Sequence, residues 1–316
     1  MGAYIFRRTL SAVALVLVVC SIVFLALYAV PGDPAVILLS TGGVTPPQSA
    51  VDALRVELGL DKPLLLQYFS FLADLLRGDL GTSFSDKSPV IETILARLPR
   101  TLELIGAATV IALLIGMPLG IAAARHQGER VDRLFALMAS FALSTPVFVI
   151  GTVFILVFSK MLNLVPAGGF VPFSQAPMQH LLLLLMPSLA IAVGFAAVVF
   201  RMTRATVIGV LTRDWVRTAR AKGLSERRVL RRHIVRNALG PVATVVGLQM
   251  GSLLGGSVLV EYVFNWPGLS GFLVTAIENR DYPEVRGTVL VVAALFIFLN
   301  LLVDLLYMLL DPRVRH

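Results

Sequence analysis

Six long apolar runs set the pattern of this chain, at 9–30, 104–124, 134–159, 181–200, 238–260 and 287–310. The first five hold no charged side chain, and the sixth is broken only by Asp304. A hydrocarbon core about 30 Å thick is crossed by roughly 20 helical residues. Every run meets that length, so the pattern predicts an all-α polytopic membrane protein with six transmembrane helices. Two polar segments between the runs, 31–99 and 201–240, far exceed the usual connection of about 4–6 residues.

The first polar segment opens on the rigid turn Pro31-Gly32-Asp33-Pro34. Ser49 fits the cap of a helix through Leu58, with Gly59 as its stop; Asp61 and Pro63 start another that Gly78 ends. That second helix is apolar on more than one face, through Leu64, Leu65, Leu66, Tyr68, Phe69, Phe71, Leu72, Leu75 and Leu76. It is too short to span, which leaves it along the membrane interface or packed on the bundle. The segment reads equally as a lid and as a docking or gating surface for a soluble partner.

The second polar segment carries eleven Lys and Arg. Inserting them at mid-membrane costs roughly 3 kcal/mol each, on the order of 30 kcal/mol together, so the segment must project into water. Its residues spell two short helices around a stop. Asp214 fits the cap of the first, which runs to about Lys222, and Gly223 fits the left-handed position that ends it. Leu224, Ser225 and Val229 then fall at N′, N-cap and N4 of the second, the spacing of a hydrophobic staple. A solvated basic hairpin would set topology with fewer charges. A doubly capped elbow fits contact with a cytosolic partner.

Charge gives the orientation. With the N-terminus inside, 18 of the 27 Lys and Arg fall on inner segments, against five of the 19 acids; thirteen acids lie outside and Asp304 within the membrane. This asymmetry places both termini in the cytosol. The net charge of +8 is therefore a topology signal, and no basic groove or RNA-binding signature points to nucleic acid. Arg7 and Arg8 resemble the basic end of a signal peptide, but the apolar run after them exceeds about 7–15 residues and ends without an A-x-A-like site. The first helix is expected to stay.

Composition narrows the class. The chain is 57% hydrophobic and 15% charged, against about 45–50% and 25% in soluble domains; an ordinary soluble enzyme and a disordered regulator are excluded. Cys20 stands alone, and His126, His180, His233 and His316 are scattered, so no metal or disulfide framework is signalled. No G-x-x-x-x-G-K-[ST] phosphate cradle is present, and the chain is not expected to hydrolyse ATP. An ion-driven transporter would favour several intramembrane acids and internal repeats; Asp304 alone speaks for it. Asp304 itself reads as a structural ion pair or hydrogen bond, a gating or cargo contact, or a proton site.

The string Arg217-Thr218-Ala219-Arg220-Ala221-Lys222-Gly223 resembles the EAA loop of ABC-importer permeases in the form used by peptide importers. Further strings recur in order: Phe6-Arg7-Arg8, Val30-Pro31-Gly32-Asp33-Pro34, Glu57-Leu58-Gly59-Leu60-Asp61, Arg77-Gly78-Asp79-Leu80-Gly81-Thr82-Ser83, Arg130-Val131-Asp132-Arg133, Ser144-Thr145-Pro146, Pro166-Ala167-Gly168-Gly169, Asn265-Trp266-Pro267-Gly268 and Arg280-Asp281-Tyr282-Pro283. Together they resemble the DppB/OppB-like permeases of dipeptide, oligopeptide and nickel importers. The resemblance implies a type I ABC importer permease fold in the bacterial cytoplasmic membrane. It implies a second homologous permease, two ABC ATPase subunits or one fused pair carrying ATP and Mg, and an extracytoplasmic substrate-binding protein, with lipids around the bundle and no cofactor in this chain. It assigns ATPase coupling to Arg217, Thr218, Ala219, Arg220, Lys222, Gly223, Leu224 and Ser225. It implies short peptides as cargo, with nickel, haem or glutathione as variants.

Overall fold

A computed structural model describes residues 2–29, 34–39, 46–57 and 59–310. Fourteen helices follow in order among the described residues: α1 Gly2–Ala29, α2 Pro34–Leu39, α3 Gln48–Glu57, α4 Leu64–Leu76, α5 Val90–Arg125, α6 Arg130–Ser144, α7 Val147–Phe154, α8 Pro177–Leu211, α9 Asp214–Ala221, α10 Glu226–Arg228, α11 Arg236–Gly256, α12 Val258–Val263, α13 Leu269–Glu278 and α14 Tyr282–Leu310. Wide π turns carry α7 on through Ile155–Met161 and join α10 to α11 through Val229–Val235.

Among the described residues, five helical stretches are long and apolar enough to cross a membrane: α1, α5, α8, the run α10–α11 and α14. The sixth expected span is bent. The apolar run 134–159 breaks into α6 and α7, which meet at 98°. Pro146 lacks an N–H and forces Thr145 before it into extended backbone, φ −90° and ψ 122°, so the helix cannot continue. The pair counts as one broken span or as a re-entrant segment.

Helix ends also move from the sequence reading. The segment 31–99 is not loop to its end, because α5 begins at Val90 and runs on through Pro99. Likewise α8 extends to Leu211, well into the expected cytosolic segment. Side-chain packing sustains these extensions. Val90 and Ile94 are fully buried at one end, and Thr203 and Val207 at the other.

The chain divides into two compact units. The larger comprises Met1–Thr9, Arg97–Gly271 and Leu295–His316. At its centre stands α8, whose span is 67% buried, against 11% for α1. Phe195, Val199 and Ala192 of α8 meet Ala112 of α5 and Val242 and Val246 of α11. Close approach depends on small residues: a Cβ on Gly116 would lie 2.6 Å from the Ala196 carbonyl oxygen, and one on Gly120 2.9 Å from that of Phe200.

Several of the motif strings are pins within this unit. Trp266 donates its indole N–H to the Arg100 carbonyl at 3.0 Å. The Gly169 N–H donates to the Phe264 carbonyl at 2.8 Å, and a Cβ on Gly168 would lie 2.2 Å from that oxygen. Glu261 is buried and accepts from Thr101 Oγ1 at 2.9 Å, Ser257 Oγ at 3.2 Å and the Gly271 N–H at 2.7 Å. Burial pushes its pKa up against those hydrogen bonds. Asp132 sits buried against Arg204, which donates through Nε at 2.5 Å and through its terminal nitrogen at 2.7 Å.

The smaller unit comprises Leu10–Ala96 and Phe272–Ala294. The helices expected from Ser49 and after Pro63 are α3 and α4, but α3 begins at Gln48, with the Pro47 carbonyl accepting the Ala50 and Val51 N–H groups, so Ser49 lies in its first turn rather than at its cap, and its expected end at Leu58 is outside the described residues. Both expected stops are left-handed glycines, Gly59 at φ +66° and Gly78 at φ +77°. Instead of lying free, α4 packs Tyr68, Phe71, Leu72 and Leu75 against Cys20 and Phe24 of α1 and Leu290 of α14. Asp281 caps α14 through the Glu284 N–H and receives Ser83 Oγ–H at 2.7 Å and the Ser85 N–H at 3.0 Å. This ties the Gly81-Thr82-Ser83 string to Arg280-Asp281-Tyr282-Pro283.

Candidate functional site

Two places in the larger unit carry features beyond packing: the basic elbow between α8 and α10, and a cleft at the broken span. In the elbow, α9 is amphipathic over two turns. Val216 and Ala219 are buried, whereas Trp215, Arg217, Thr218, Arg220, Ala221 and Lys222 are exposed. The buried pair joins Val207 of α8, Ala124 of α5, and Val229, Ile234 and Ala238 on the far arm. The elbow thus has its own small core, fused to the ends of three long helices.

Its turn is closed as the glycine predicts. Gly223 adopts φ +76°. Its N–H donates to the Arg220 carbonyl at 2.9 Å, and the Leu224 N–H reaches back to that of Ala219 at 3.4 Å. This pair of bonds is a Schellman motif, which terminates a helix without leaving its last carbonyls bare. Among the described residues nothing lies within 4 Å of a Cβ built on Gly223, so backbone conformation rather than space demands glycine there. Arg220 spans the turn to Glu226, Nε to Oε1 at 2.8 Å.

Three details differ from the sequence reading. The cap of α9 is Arg213, in extended backbone, and Asp214 falls in the first turn, where a negative charge still favours the helix dipole. Ser225 does occupy the N-cap position of α10, but its hydroxyl makes no capping bond; its carbonyl accepts the Arg228 and Val229 N–H groups at 2.8 and 3.0 Å. The second helix is not short and separate, because it continues without a break into α11. Leu224 and Val229 do share one apolar cluster, as the staple spacing requires. The structure therefore brings Arg217, Thr218, Ala219, Arg220, Lys222, Gly223, Leu224 and Ser225 onto one compact protrusion. Asp304 lies in α14, with its side chain outside the described residues.

The cleft has a volume of about 180 Å³. Its walls are Thr145 and Ile150 at the break, Ala190 and Gly194 on α8, and Gln249 and Leu253 on α11. Thr145 donates its hydroxyl to the Phe141 carbonyl at 2.9 Å. The Gln249 amide is a polar group on a mainly apolar wall. Sequence reading passed over this residue; a single glutamine inside the run 238–260 was the available signal. At the outer end of the same unit, His180 is buried with Nδ1 2.7 Å from the Val171 carbonyl and Nε2 2.6 Å from Glu103 Oε1. Phe170, Phe173 and Trp266 surround its ring edge-on.

Residues 116–316 match the family described as binding-protein-dependent transport system inner membrane component. Residues 1–105 match the N-terminal family of the same systems. The chain belongs to this permease family. It is 37% identical over 316 residues to a probable peptide ABC transporter permease of Sinorhizobium fredii, covering all of both chains. It is 40% and 41% identical over 313 residues to glutathione transport system permeases of Salmonella paratyphi A and Pectobacterium atrosepticum, covering 99% of each chain. A methionine ABC transporter, solved facing inward, shares the fold: TM-score 0.57 at 17% identity, over 70% of this chain and 97% of that one. The permease is thus a multi-pass inner-membrane subunit of an ABC importer. ATP is bound and hydrolysed on separate subunits, a binding protein delivers cargo, and the permease itself needs no cofactor.

Proposed function

We propose that this permease forms half of a translocation path for short peptides, glutathione among them, and that α9 is the handle through which partner ATPase subunits move it. The build of the elbow carries the reading. Arg217, Arg220 and Lys222 face water on a helix whose other face is locked to α5, α8 and α11. A push on such a body is transmitted to three spans rather than absorbed in a hinge. A basic helix on a rigid neck suits an acidic groove on a cytosolic protein.

In this scheme ATP closes two ATPase subunits, or one fused pair, and draws together the elbows of this chain and a homologous second permease. The bundles rock and accept cargo from the docked binding protein, and hydrolysis restores the inward-facing state. The cleft beside Thr145 and Gln249 serves as this chain's share of the path, with the Gln249 amide available to peptide groups. Peptide cargo is supported by relatives of nearly full overlap named for peptide and glutathione transport.

Replacing Gly223 tests the coupling. A side chain in the left-handed region costs about 1–2 kcal/mol, which reshapes the turn while the buried core of the elbow persists. Gly223→Val should abolish uptake of labelled glutathione and dipeptides with folded protein at near wild-type amounts in the membrane. Gly223→Asn, which tolerates that conformation, should retain uptake. Normal uptake by Gly223→Val would refute the role.

A further inference from the structure

Helix α4 has three distinct sides. At 3.6 residues per turn, Tyr68, Phe71, Leu72 and Leu75 form one, and they pack on α1 and α14. Leu65, Phe69 and Leu76 form the flank beside it and are 72%, 63% and 90% exposed. Gln67, Ser70 and Asp74 form the remaining side. Only that third side is polar: Gln67 donates to the Lys62 carbonyl at 2.7 Å, and Asp74 lies 3.8 Å from Arg77. A helix in contact only with protein and water has no use for a second, bare apolar flank of this size.

Its attachment gives the depth. Ser21 donates its hydroxyl to the Leu17 carbonyl at 2.8 Å, so the 2.7 Å contact with Tyr68 carries the tyrosine's proton. Phe24 stacks on Phe71 at 5.7 Å between ring centres. The apolar run that α1 carries ends at Val30 in the sequence. At 1.5 Å per residue, Phe24 and Ser21 lie about 9 and 14 Å inside that end, in the outer half of the span. Elsewhere on α1 at this level the exposed positions Val18, Ile22 and Leu25 are also apolar, as a span facing hydrocarbon must be. The bare flank of α4 is thus held beside a span that faces lipid, on the outer half of its apolar run.

We propose that α4 is an interfacial helix whose Leu65, Phe69 and Leu76 are seated among the acyl chains of the outer leaflet, beside α1. The polar side then meets headgroups and water, the division that holds helices in the interfacial plane. The occupant of the flank is lipid, not a soluble protein. The seat also keeps the outer segment before α5 fixed on the membrane surface, independently of whether the elbow couples to an ATPase.

The test is depth-resolved fluorescence quenching on the permease reconstituted with its native partner subunits. Cys20 is the only cysteine, so Cys20→Ala gives a background for single cysteines at positions 69 and 70, each labelled with bimane. Lipid brominated high on its acyl chains should quench the label at 69 at least twofold more than that at 70. Aqueous iodide should show the reverse order. Equal quenching of both labels by either agent would overturn the proposal. So would a label at 69 that is shielded from iodide only after the substrate-binding protein is added. Phe69→Trp and Ser70→Trp in the unaltered Cys20 chain, read as difference spectra, give the same comparison should Cys20→Ala disturb folding.

Discussion

Asp132 and Arg204 show what a single buried pair does in this permease. Asp132 is 5% exposed at its side chain and Arg204 31%, and the pair joins α6 to α8. Removing Arg204 leaves the Asp132 carboxylate short of its charged partner at a partly solvated site, at a cost of about 1–3 kcal/mol. Arg204→Ala should therefore lower the melting temperature of the detergent-solubilised protein markedly. The double change Asp132→Leu with Arg204→Met should recover much of that loss; a double variant as unstable as the single one would point to geometry rather than charge. Glu261 behaves differently. The folded chain holds its proton more tightly than the unfolded chain does, because burial raises its pKa. Its contribution is complete at acid pH and declines as pH climbs above the ordinary carboxylate range. Glu261→Gln should flatten that part of the stability–pH curve, and an unchanged curve would assign the slope elsewhere. Gly268→Ala should disrupt the same cluster, since its Cβ would lie 2.3 Å from the Glu261 carboxyl group.

Among elements, the long apolar spans were legible because lipid demands about 20 apolar residues whatever their neighbours. The break at Thr145-Pro146 was not, because no charge interrupts the run 134–159, although the proline that causes it is in plain view. The helix extensions were hidden for another reason: packing at Val90 or Val207 sustains them, and sequence periodicity does not show it. The elbow was the most legible part of the site. Its glycine, staple and buried positions are local, whereas the Glu261 cluster depends on Thr101, 160 residues away. The cleft shares that difficulty, and Gln249 acquires meaning only once α8 and the broken span stand beside it. Gln249→Leu should raise the half-saturating cargo concentration several-fold and leave the basal ATPase rate of the complex unchanged. Unaltered transport would remove the cleft from the path.

At the scale of the whole molecule, the proposed coupling requires force to pass between the cytosolic face and the spans. The larger unit supplies the means, since α9 shares one core with the inner ends of α5, α8 and α11. The most direct measurement is site-directed cross-linking in the complete importer, with Arg217→Cys, paired against cysteines in the ATPase groove, in place of the arginine that faces water. The account predicts a disulfide between this position and the ATPase subunit, with a yield that changes when ATP is bound, and transport that stops when the bond forms. A cysteine at 217 that reacts only with water-soluble thiol reagents, with and without ATP in an actively transporting complex, would contradict it.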